Sequence, residues 1–151
     1  MIRAPVFLAC MAGFLFTSTG TALAQYPPAG ECPQPRFTGK APDDFYNRSN
    51  PLAASPEQIV AGRRLYEKEA SPTCQICHGV KGDGKGPLAT QFDPRPRNFA
   101  CAQTVNGIPD GQLFWIVRYG SPGTSMPGFK PLSDEQIWLI ILYLRNLAKP
   151  N

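Results

Sequence analysis

Cys74-Gln75-Ile76-Cys77-His78 is the stretch that decides the fold of this chain. C-x-x-C-H is the attachment sequence of a c-type haem: two thiols one helical turn apart add across the porphyrin vinyl groups, and the adjacent imidazole reaches the iron from one face. His78 is the one histidine in the 151 residues. Haem iron in an electron carrier takes a second axial ligand, and no other imidazole exists to supply it. Of the three methionines, Met1 and Met11 lie in an apolar N-terminal leader, which leaves Met126 in Ser125-Met126-Pro127-Gly128-Phe129. His78 and Met126 are therefore the only conventional His/Met axial pair this chain can build.

Zinc is the first rival reading of Cys74, Cys77 and His78. A structural zinc site takes four ligands, usually a C-x-x-C paired with a second C-x-x-C or an H-x-x-x-H. The other cysteines of the mature chain, Cys32 and Cys101, stand far apart and alone. A thioredoxin-type dithiol is the second rival. It needs a βαβ context that the surrounding glycines and prolines do not offer. Haem is the reading that the spacing favours.

Residues 1–24 read as a secretory signal: Arg3 as the charged start, an apolar run from Val6 to Phe16, and Ala22-Leu23-Ala24 as a small-residue cleavage site. The run falls short of the roughly 20 residues that span a bilayer. Export past the cytoplasmic membrane, where bacterial c-type haem is attached, predicts a periplasmic protein with no stable membrane insertion. Cys10 leaves with the leader, so Cys32 and Cys101 form an even pair in an oxidising compartment, where a disulfide is the default. Two separately buried thiols are the alternative. The formal charge is +4, with both signs interspersed as in Glu57, Arg63, Arg64, Glu67, Lys68 and Glu69. No clustered basic stripe of the kind that binds nucleic acid is present.

Residues 25–54 carry Pro27, Pro28, Pro33, Pro35, Pro42 and Pro51 with little apolar periodicity. Proline fixes φ and removes a donor, so this stretch is expected to be an irregular extension rather than a second domain. Phe37, Phe45 and Tyr46 are its candidate anchors; a mobile linker is the alternative. Residues 55–151 form the domain proper. A first helix starts at Ser55 as N-cap, with Pro56 at the first position and Gln58 completing a capping box. Ile59, Gly62, Leu65 and Tyr66 share one face, and Gly62, costly inside a helix, is expected where another helix comes close. The glycine-rich Gly79–Pro87 stretch reads as a loop passing close to something bulky, and Phe92–Cys101 as a second loop. A middle helix runs from Asp110, its expected cap, to Gly120. The last helix is capped by Ser133 and Gln136. Leu132 can staple onto Ile137, an apolar stripe runs through Ile137, Ile140, Ile141, Leu144 and Leu147, and Arg145 and Lys149 suit its carboxyl end.

With these three helices in order around the motif, residues 55–149 resemble the small monohaem cytochromes c of the His/Met type. The resemblance implies an all-α, cytochrome c-like fold: three core helices around one covalently bound haem c, preceded here by the proline-rich extension. Gly62 and Tyr66 match that family's glycine and aromatic on the first helix, and Tyr143-Leu144-Arg145 its closing helix. Gly86-Pro87 matches its Gly-Pro element, which implies that the Pro87 carbonyl accepts a hydrogen bond from the His78 imidazole. Met126-Pro127 matches its distal ligand loop. The extension and the Cys32/Cys101 pair depart from the common pattern.

The expected site is therefore Cys74 and Cys77 on the porphyrin, His78 and Met126 on iron, and Pro87 behind His78. Arg95, Arg97, Asn98, Trp115 and Tyr119 are candidates for the haem propionates; Trp115 and Tyr119 equally suit the core, and the arginines equally suit solvent. With both axial positions filled by protein, the leading function is a periplasmic electron carrier with redox proteins as donor and acceptor and no catalysis of its own. The alternative is a haem-bearing, electron-accepting subunit of a periplasmic dehydrogenase or reductase. A gas or redox sensor, with a displaceable Met126, is the third reading.

Overall fold

A computed structural model describes residues 28–35 and 37–148. The leader expected at residues 1–24, Pro27 and Lys149 lie outside the described residues. Every regular element described is helical, with no strand among them. The fold is all-α and cytochrome c-like. In chain order the helices are α1 (Asp43–Tyr46), α2 (Pro56–Arg64), α3 (Gln75–His78), α4 (Ala102–Val105), α5 (Asp110–Tyr119) and α6 (Asp134–Leu147). Leu65–Glu69 continues α2 as a π-helical turn, and Ala89–Gln91 forms a single 3₁₀ turn. No described helix is long and apolar enough to cross a membrane.

The frame is the crossing of α2 over α6. A Cβ on Gly62 would stand 2.1 Å from the Leu139 carbonyl oxygen, so only a residue without a side chain lets the two backbones approach this closely. Tyr66, fully buried, extends the contact with its ring edge-on to Tyr143 at 5.3 Å. Leu65, Val105, Ile140 and Leu144 fill one side of α6; Leu113, Phe114, Ile137 and Ile141 fill the other. Cys74 and Leu132 touch both groups, so the motif is set into the core rather than laid upon it.

The helix ends follow local chemistry, with two corrections. Ser133 and Gln136 form the full reciprocal capping box that starts α6. Ser55 caps α2 by accepting the Gln58 N–H at 3.3 Å, but the box is only half made, because Gln58 Oε1 is buried without a partner. Asp110 does not cap α5: Pro109 holds that position, and Asp110 is the first helical residue. Its carboxylate has a stronger partner in Arg145, whose Nη2 lies 2.6 Å from Oδ1. Arg145 also donates to the carbonyls of Val105 (2.7 Å) and Ile108, so one guanidinium joins α4, α5 and α6. Gly120, at φ +89°, ends α5 in the left-handed backbone that glycine tolerates.

Among its described residues the extension is irregular apart from the short α1. Phe45 is an anchor, stacked on Phe114 at 6.2 Å and edge-on to Tyr119 at 5.6 Å. Phe37 is not, being 88% exposed. Cys32 and Cys101 are joined in a disulfide.

Candidate functional site

α3 is a single helical turn, and backbone bonds hold it from several directions. The His78 N–H donates to the Cys74 carbonyl at 2.9 Å, the Gly86 N–H to Cys77 at 3.1 Å, and the Leu88 N–H to Ile76 at 3.0 Å. The glycine-rich loop therefore folds back onto the motif itself. Tyr66 braces the far end, its hydroxyl donating to the Gly79 carbonyl at 2.8 Å. His78 is buried and stacked on Phe99 at 4.6 Å. Its Nδ1 lies 3.0 Å from the carbonyl oxygen of Arg97.

That bond corrects the expectation for Pro87. The bonds of Gly86 and Leu88 to Cys77 and Ile76 bracket Pro87 and hold it on the outer side of α3. There it lines a shallow hollow with Thr73, Gln75, Ile76 and Val80. The segment that reaches the imidazole is Arg95–Phe99 instead, which crosses beside His78 on its way to Cys101.

Met126 is positioned by the end of α5. After Gly120 the chain turns at Ser121, whose N–H donates to the Met126 carbonyl at 3.2 Å. The Met126 N–H donates to Thr124 Oγ1 at 3.1 Å, and the Phe129 N–H returns to Val117 at 2.9 Å. Met126, half-buried, packs against the core group around Leu113 and Ile137.

These side chains converge on one cavity of about 750 Å³. Cys74, Cys77, His78 and Met126 all line it, with Leu113 and Leu144 among its apolar walls. The volume lies in the range of small-molecule and cofactor clefts. Cys74 and Cys77 are free thiols, since the other described cysteines are bridged to each other. Burial pushes the Cys74 thiol up to about 12 and raises Cys77 as well. A dithiol redox pair needs the opposite, a thiol acidified toward neutrality. No convergent group of three or more His, Cys, Asp or Glu side chains suited to a metal ion occurs among the described residues. Two free thiols, one imidazole and one thioether around an apolar cavity fit a covalently held haem.

Of the five propionate candidates, only Arg97 lines the cavity. Arg95 donates to the Ala89 carbonyl at 3.1 Å, and Asn98 to the Gly30 carbonyl at 3.0 Å. Tyr119 is 51% exposed, with Trp115 beside it at 6.2 Å. The sequence reading missed Gln34 and Gln112, both buried at the cavity edge. Neither belongs to a motif or an apolar stripe that would single it out.

The family model described as cytochrome c oxidase, cbb3-type, subunit III, matches residues 57–144. Cytochrome c55X of Stutzerimonas stutzeri is 29% identical over 103 residues, covering 66% of this chain and 81% of that protein. A chain of the Kuenenia stuttgartiensis reducing HAO-like protein complex is similar in structure, with a TM-score of 0.57 and 32% identity over 66% of this chain. The match covers 47% of that structure's chain, so the present chain spans about half its length.

Proposed function

We infer that this chain, which belongs to the c-type cytochrome family described as cytochrome c oxidase, cbb3-type, subunit III, carries single electrons between periplasmic redox proteins through one haem c. Electron transfer is the function that the family supports. The finer reading is a carrier with no catalysis of its own, held by Cys74 and Cys77 and ligated by His78 and Met126. Residues 1–24 would be its export signal, 25–54 an extension and 55–151 the haem domain. The observation that carries this reading is the meeting of Cys74, Cys77, His78 and Met126 on one apolar cavity.

When bound, haem supplies a one-electron change at iron. The chain's own residues then bind, orient and shield. Cys74 and Cys77, both free thiols on the cavity wall, would hold the macrocycle covalently. The Arg97 carbonyl, 3.0 Å from His78 Nδ1, favours the tautomer with its proton on that nitrogen, which leaves Nε2 as a lone-pair donor. Met126, which lines the same cavity as His78, would be the second protein ligand to the iron and would leave no position open to oxygen or a substrate. A thioether ligand from Met126 and burial of the haem would both favour the reduced state and raise the potential.

The alternative is a haem subunit fixed in a larger redox assembly. It draws on the family description and on the likeness to a chain of a multi-protein complex. The test is expression with a haem-maturation system. One haem should remain on the chain in a denaturing gel, and the ferric protein should show the sulfur-to-iron charge-transfer band of His/Met ligation. Stoichiometric zinc without haem overturns the reading. Purification of the native protein from a periplasmic extract separates the two roles: a carrier elutes alone, a subunit with its assembly.

A further inference from the structure

The family match begins at residue 57, yet Pro33, Gln34, Thr38, Lys40 and Tyr46 line the cavity. Two buried amides hold this upstream segment there. Gln34, 3% exposed, donates from Nε2 to the Pro96 carbonyl at 3.1 Å and accepts at Oε1 from the Asn98 N–H at 3.0 Å. Its own N–H donates to Thr104 Oγ1 at 2.9 Å. Gln112 of α5, 6% exposed, works from the other side: Oε1 accepts the Ala41 N–H at 2.7 Å, and Nε2 donates to the Gly39 carbonyl at 2.9 Å. Between them Arg97 Nη2 donates to Thr38 Oγ1 at 2.8 Å. The Cys32–Cys101 disulfide ties the upstream end covalently to the chain just beyond the cavity wall. Buried amides are costly unless both ends are satisfied, and once satisfied they specify a single arrangement.

We propose that the upstream residues Pro33, Gln34, Thr38, Lys40 and Tyr46 are a working wall of the cofactor site, with Gln34 and Gln112 as positioning residues that keep water out of the cavity and so hold the haem potential up. The proposal rests on the haem reading above. Ferric haem carries one more positive charge than ferrous haem, and a dry, low-dielectric surround disfavours the more charged state. Opening the wall admits water, stabilises the ferric form and lowers the potential. Both amides are uncharged, so replacing them changes water access without removing a charge.

The test is redox titration of the haem-loaded protein at fixed pH and ionic strength. Gln34→Ala with Gln112→Ala should shift the ferrous/ferric balance on the order of tenfold toward ferric, about 59 mV for a one-electron couple. Each single variant should shift it less. Val60→Ser, on the exposed face of α2, should leave it unchanged. Far-UV circular dichroism and the charge-transfer band of Met126 must persist, so that neither unfolding nor ligand loss accounts for the shift. Cys32→Ser with Cys101→Ser should move the potential the same way and decides the matter if the amide variant does not fold. An unchanged potential in a folded, haem-bearing variant overturns the wall. A wild-type protein without covalent haem overturns the electron-carrier reading as well.

Discussion

Gly62→Ala adds one methyl group at the α2–α6 crossing, where its carbon would stand 2.1 Å from the Leu139 carbonyl oxygen and 2.8 Å from the carbonyl carbon. The obstacle is backbone, so no rotamer change relieves it. Reaching the 3.4 Å of an ordinary contact requires the two groups to part by about 1.3 Å (3.4 − 2.1), and a gap of even about 0.5–1 Å forfeits a quarter to a half of each van der Waals well along the contact. Overpacking of this kind costs about 1–3 kcal/mol, and a clash against backbone belongs at the upper end. Replacing a mid-helix glycine by alanine returns about 1 kcal/mol of helix propensity. The net expectation is a loss of about 2 kcal/mol, or roughly 10 °C in Tm for a domain of this size. Thermal unfolding of the haem-loaded protein, followed by far-UV circular dichroism, measures it. Val60→Ala on the exposed face of the same helix serves as the reference. A Gly62→Ala protein as stable as wild type would refute the close crossing, because propensity alone would then have decided the outcome.

Met126→Ala should keep haem covalently attached while lowering the midpoint potential and letting ferric iron take up cyanide; a potential equal to wild type would remove Met126 from the iron. Arg145→Leu should destabilise the fold by about 2–4 kcal/mol in chemical denaturation, because Asp110 and the carbonyls of Val105 and Ile108 lose a charged donor together. An effect within about 0.5 kcal/mol would reduce that cluster to an ordinary surface pair. Cys32→Ser with Cys101→Ser opens a loop with a sequence separation of 69, for which chain entropy gives a loss of about 4 kcal/mol. Equal denaturation midpoints for this variant and wild type would contradict it.

Much of the frame was legible because it is written in short-range chemistry. Ser133 and Gln136 announce the start of α6 within four residues. The stripe from Ile137 to Leu144 gives α6 its buried face, and Gly62 marks the crossing because nothing else explains a glycine there. The haem motif was legible for the same reason, being contiguous. Met126 came from a count of ligand-capable side chains, and it lines the same cavity as His78. The errors arose where a partner lies far away in sequence. Asp110 has a cap residue's chemistry and a helix start's position, but Arg145, a separation of 35 away, offers its carboxylate a full charge where a cap offers backbone N–H groups.

Pro87 and the extension show where motif reading stops. A resemblance conveys which residues recur near a site. The choice of carbonyl facing an imidazole depends on the path of a loop that has no periodic signal. Here Gly86 and Leu88 bind back onto α3 and carry Pro87 outward, and Arg97 arrives on a proline-spaced segment held by Gln34. The same glutamine holds the extension. Its two amide bonds, to Pro96 and Asn98, therefore tie the extension directly to the segment that faces His78. Axial orientation and water exclusion depend on one side chain, so Gln34→Ala should perturb the site more than Gln112→Ala. Redox titration of the two single variants, with equal shifts counting against the shared role, measures that ordering.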